Sequence, residues 1–165
     1  MFKVIILLSL AVASLAHSFP HYFQCDRRWK EEKVGTGQEC MCNAGSLVSS
    51  IAMMMAGKNV EIGRDLVDPK SLNEWLTKHS GYTHNNLFVW DSLDSFGFDY
   101  KGRYMDSSDI KSKMYDEKIC VLNVGGMWVL ATGSYAGGFV VQDPGLGRTR
   151  VTNGEVTEGA CYKTQ

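Results

Sequence analysis

Residues 42–53 read Cys42-Asn43-Ala44-Gly45-Ser46-Leu47-Val48-Ser49-Ser50-Ile51-Ala52-Met53, and the fold turns on this stretch. From Gly45 onward the apolar residues Leu47, Val48, Ile51, Met54 and Met55 recur three and four apart, the spacing of one helix face. Gly57 follows as a stop signal. The run Met53-Met54-Met55 could suggest a metal or redox site. At this spacing it reads as core filler, because an unbranched thioether adapts to irregular gaps.

Working downstream, Asp68-Pro69 reads as a cap followed by proline in the first turn. It opens a helix through Leu72, Trp75 and Leu76, ended by His79-Ser80-Gly81. Asn86 is expected to cap a third helix carrying Leu87, Trp90, Leu93 and Phe96, stopped at Gly97, and Ser107 or Ser108 a fourth around Ile110 and Met114. The last third changes character. Residues 119–124, 128–132, 139–142 and 148–152 are short β-branched and aromatic runs. Gly125-Gly126, Ala136-Gly137-Gly138 and Pro144-Gly145 separate them as turns. Helices first and an antiparallel sheet second predict an α+β domain in two segregated layers, with no linker dividing it.

Working upstream, residues 21–44 are turn-rich, and residues 1–18 carry Lys3, an apolar core from Val4 to Leu15, and then small residues. This is the pattern of a cleaved signal peptide, cut after Ala16 or as late as Ser18. The apolar run is shorter than the ~20 residues that span a bilayer. The expectation is therefore a secreted single domain over residues 17–165, with no membrane association after cleavage. Its 16 basic against 18 acidic residues exclude the broad basic face of nonspecific nucleic-acid binding. No Asn-x-Ser/Thr sequon occurs.

An oxidising compartment makes disulfides the default for the five cysteines, and an odd count leaves one thiol over. Cys120 sits in an apolar strand-like run and is taken as the buried free thiol. Cys25, Cys40, Cys42 and Cys161 are then the bridge candidates, with Cys25–Cys42 and Cys40–Cys161 the pairing expected. Cys40-x-Cys42 lacks a second ligand pair at metal spacing, so no metal or other cofactor is expected.

Three stretches carry the functional information. They are Tyr22-Phe-Gln-Cys-Asp-Arg-Arg-Trp29, the 42–53 stretch, and Gly126-Met-Trp-Val-Leu-Ala-Thr-Gly133 followed by Val141-Gln-Asp-Pro-Gly145. In order and spacing they resemble the secreted, papain-fold domains related to cysteine peptidase family thirty-nine, the bacteriocin-leader peptidases, over about residues 21–152. The resemblance implies a papain-like fold. It also implies an oxyanion-hole glutamine at Gln24, a nucleophile at the helix N-terminus, a strand-borne histidine base before Trp128, and an orienting carboxylate at Asp143. A helix N-terminus suits such chemistry because its unpaired N–H groups and partial positive charge stabilise a thiolate and then an oxyanion.

The chain departs from that pattern at both reacting positions: Ser46 holds the nucleophile position and Met127 the base position. A hydroxyl without a base is a weak nucleophile, and a thioether is no proton acceptor. Loss of nucleophile or base removes on the order of 10⁴ to 10⁶ in rate. The expectation is a secreted pseudoenzyme whose groove, with Gln24, Ser46, Met127 and Trp128 as ligand-binding candidates, holds a peptide or protein ligand. Trp90, Trp128 and Tyr135 are the aromatic candidates for its walls. Without a histidine to orient, Asp143 reads as turn chemistry. Two alternatives are a working hydrolase using Ser46 with another base, and a structural or storage protein of a matrix or secretory granule.

Overall fold

The computed structural model describes residues 18–165, so the signal peptide expected over residues 1–16 lies outside the described residues. The chain enters through a turn-rich segment and a short helix, α1 (Met41–Ala44), which breaks at Gly45 and resumes as α2 (Ser46–Ala56). Gly45 is required there, because a Cβ would lie 2.2 Å from the Met41 sulfur and 2.4 Å from its carbonyl oxygen. Every residue of α2 except Leu47 is buried. Val48, Ile51, Met54 and Met55 pack into one cluster with Val121, Leu130, Ala160 and Tyr162 of the sheet.

A two-residue hairpin, β1 (Glu61–Ile62) with β2 (Asp65–Leu66), leads to α3 (Pro69–Lys78). Its Asp68 cap accepts from Ser71 N–H while the Ser71 hydroxyl accepts from Asp68 N–H, satisfying two terminal donors at once. Next come a 3-10 helix (Trp90–Phe96), β3 (Phe98–Tyr104) and α4 (Ser107–Tyr115). The chain ends in β4 (Ile119–Val124), β5 (Met127–Tyr135), β6 (Gly138–Gln142), β7 (Arg150–Thr152) and β8 (Val156–Thr164). The six strands β3 to β8 form one antiparallel sheet in the order β3-β8-β4-β5-β6-β7. Gly125 and Gly126, both at positive φ, turn β4 directly into β5. The α+β class and the antiparallel sheet are as expected.

Four features differ from the sequence reading. First, the layers are not segregated. Ile110 of α4 packs with Cys120, Leu122, Val129, Phe139 and Val141, the opposite sheet face from the one α2 covers. Second, Asn86 caps nothing. It stands at φ +58°, and its side chain ties the 83–88 loop to Val34 O and Thr36 N–H, so regular coiling starts only at Trp90. Third, Asp106 rather than Ser107 or Ser108 caps α4, accepting from Ser108 N–H at 2.7 Å.

Fourth, the disulfides are Cys25–Cys42, as expected, and Cys120–Cys161, while Cys40 is the free thiol. The pairing Cys40–Cys161 is thus incorrect. Strand β8 runs antiparallel to β4 and sets Cys161 directly opposite Cys120, where both side chains leave the same sheet face and the Cα atoms are 4.1 Å apart. Cys40 instead precedes α1, where its backbone bridges to Lys33. Two disulfides mark an oxidising compartment. Among the described residues no helix is long and apolar enough to cross a membrane.

Candidate functional site

Ser46 is the first residue of α2 and is buried. Its partner is set by the sheet. Trp128 lies opposite Asn123, one residue beyond the pair that closes the β4–β5 hairpin, and β6 joins β5 only from Leu130 onward. The Trp128 backbone groups that face away from β4 therefore lack a strand partner. Two serines one helical turn apart supply it. The Ser46 hydroxyl accepts from Trp128 N–H at 3.1 Å, and the Ser50 hydroxyl donates to Trp128 C=O at 3.0 Å. Ser50, which the sequence reading did not single out, thus helps to dock α2 on β5. Spacing from Ser46 along one helix face was the signal for it.

Gln24 is 6% exposed and sits behind the start of α2. Its backbone N–H donates to Pro144 O at 2.9 Å, and its side-chain Nε2 donates to Cys42 O at 2.6 Å. The Cys25–Cys42 disulfide holds the two segments together beside that bond. Gln24 Oε1 is buried and, among the described residues, has no hydrogen-bond partner. It lies 3.4 Å from where a Cβ on Gly145 would stand, and the Met127 methyl lies 1.8 Å from the same point. A Cβ at residue 145 would have to displace the Met127 thioether, whose methyl stands beside the Gln24 amide oxygen.

Asp143 is fully buried. One carboxylate oxygen accepts from Gly145 N–H at 2.9 Å and Leu146 N–H at 3.0 Å, and the other accepts from Arg148. Burial by itself would push the carboxyl up. The Leu146 and Gly145 amides and the Arg148 guanidinium outweigh it and hold the group below the ordinary aspartate value. The carboxylate is thus fully used in building the 143–148 turn. Arg148 was missed from the sequence, where nothing links it to Asp143 beyond proximity.

The histidines lie elsewhere. His21 Nε2 is 3.0 Å from the Asp143 backbone oxygen, and its ring stacks on Phe23. His79 stacks on Trp75 and bonds Trp75 O, and His84 is exposed. Among the described residues no imidazole is hydrogen-bonded to Ser46, whose one partner is the Trp128 amide. The same residues contain no His, Cys, Asp or Glu cluster able to hold a metal ion.

Gln24, Ser46, Met127 and Trp128 line one groove of about 380 Å³, with Leu47 and Gly126 beside them. Its far wall is the 82–88 loop, through Tyr82, Asn86, Leu87 and Phe88. Among the described residues no charged side chain lines it. Of the aromatic candidates only Trp128 belongs to the wall. Trp90 packs behind it at 5.3 Å between ring centroids, and Tyr135 lies at the other end of β5. No protein-family model, curated protein or solved structure matches the chain.

Proposed function

We propose that the chain is a secreted, catalytically silent relative of the papain-fold cysteine peptidases, and that it binds a peptide-like ligand in the groove between α2 and the 82–88 loop. One observation carries the reading. Gln24, Ser46, Met127 and Trp128, from three separate stretches of sequence, line one uncharged groove, and there the Ser46 oxygen is engaged by a backbone N–H instead of facing a base. A hydroxyl that accepts an amide proton and has no base for its own is a poor nucleophile. The aromatic and aliphatic walls of the groove suit a side chain of a bound segment.

Hydrolysis of peptides and esters between about pH 5 and 8, the range of activated histidines, tests this reading. Wild type and Ser46→Ala are expected to match buffer alone. Turnover in the wild type that Ser46→Ala abolishes would replace the proposal with a serine hydrolase. The double variant Ser46→Cys, Met127→His is expected to gain weak peptidase activity. Continued silence in that variant, if it folds, would count against the papain-like assignment.

A further inference from the structure

We infer that Gln24 presents a hydrogen-bond acceptor to the groove, so that the site selects a neutral ligand carrying an N–H donor, an amide above all. The inference rests on the groove being the binding site. A glutamine amide has one donor end and one acceptor end. Cys42 O can only accept, so the 2.6 Å contact fixes Nε2 toward it and turns Oε1 away. That oxygen is buried, on a side chain 6% exposed, and has no partner among the described residues. Buried acceptors are almost always paired, and an unpaired one is costly. A ligand donor would remove that cost. The polarity is opposite to that of a glutamine that donates to an oxyanion.

Three further features narrow the ligand. Met127 stands beside the acceptor, and its flexible thioether can swing aside where a branched or aromatic side chain would not. The start of α2 contributes N–H groups without intrahelical partners, which favour a carbonyl oxygen and disfavour a cation. The uncharged lining gives a carboxylate no counter-ion, and Gln24 Oε1 repels it. An amide meets these conditions, since it offers a donor and an acceptor together without charge. Tyr82, Phe88, Trp128 and the 65% exposed Leu87 would cover an apolar arm beside it.

The test compares isovaleramide with methyl isovalerate, two probes with the same apolar arm, of which only the amide has a donor. Binding is followed by the NMR shifts of the Trp128 indole and the Met127 methyl of the full mature chain. The amide is expected to bind about fivefold or more tighter than the ester, the ratio one net hydrogen bond gives. Gln24→Met should abolish that preference. Met127→Ala, which leaves Gln24 in place and removes the flexible side chain beside it, should strengthen amide binding several-fold, and it decides the matter if Gln24→Met fails to fold. Equal binding of both probes at the groove would overturn the acceptor role and leave the groove standing. A preference that survives in folded Gln24→Met would overturn it too. If neither probe moves a groove resonance in wild type or Met127→Ala, the groove itself is not the binding site, and both readings fall.

Discussion

Ser46 and Ser50 hold the N–H and C=O of one residue, Trp128, from one helix face. Both bonds tie a helix to a strand end that the next strand does not reach. Ser46→Ala is expected to leave Trp128 N–H unpaired and to cost about 1 kcal/mol of stability, read from urea unfolding. Unchanged stability would mean that water replaces the hydroxyl without loss. Asp143 gives a pH-dependent counterpart. Its carboxyl is held below the ordinary aspartate value in the folded protein, so its contribution is complete above about pH 4, the unfolded value, and is lost as the pH falls below that. Asp143→Asn should lower stability at pH 7 by about 2 kcal/mol and flatten the acid limb of the stability curve. An identical acid limb in wild type and variant would show that other carboxylates control it.

Among the elements, those with local punctuation were legible: α2 in its apolar spacing, α3 in Asp68-Pro69, and the β4–β5 hairpin in Gly125-Gly126. Strands β3 and β8 were not. In β3 only Phe98 is buried, so Asp99, Lys101, Gly102 and Arg103 erase any alternation. In β8 the run Gly159 to Tyr162 is buried on both faces, and the pattern is again lost. Missing β8 is what misassigned Cys120 and Cys161, since their pairing is a matter of strand register alone. The two bridges should also behave differently. Cys25 is exposed, whereas both sulfurs of Cys120–Cys161 lie inside the sheet. Under native conditions a mild thiol should open Cys25–Cys42 first, as followed by alkylation and mass analysis; simultaneous opening of both would mean that the sheet breathes at β4–β8. Replacing Cys120 and Cys161 by alanine should cost about 4 kcal/mol, from the entropy of a loop closed across 41 residues.

At the scale of the molecule, the groove forms where the segment carrying Gln24, the start of α2, the β4–β5 hairpin and the 82–88 loop meet. The first three carry residues set in recognisable local motifs, so Gln24, Ser46, Met127 and Trp128 could be read before the fold was known. The fourth has no hydrophobic period, and Tyr82, Leu87 and Phe88 became visible as a wall only through the side-chain bonds of Asn86 to Val34 and Thr36. The Cys120–Cys161 bridge also decides what a protease can do to the chain. The exposed tips at Gly125-Gly126, Ala136-Gly137 and Gly145-Leu146 all fall between its two cysteines. A cut at any of them leaves both pieces covalently joined, and each tip lies between paired strands that remain hydrogen-bonded. Nicked protein should therefore migrate as intact on a non-reducing gel and fall into two fragments only after reduction. A cut in the 57–67 or 82–89 segments, outside both disulfide loops, would instead leave the N-terminal part with Gln24 and Ser46 held to the sheet by packing and hydrogen bonds alone. For a domain in an oxidising compartment this divides the surface into a part where cleavage leaves the groove's elements covalently joined and a part where it does not.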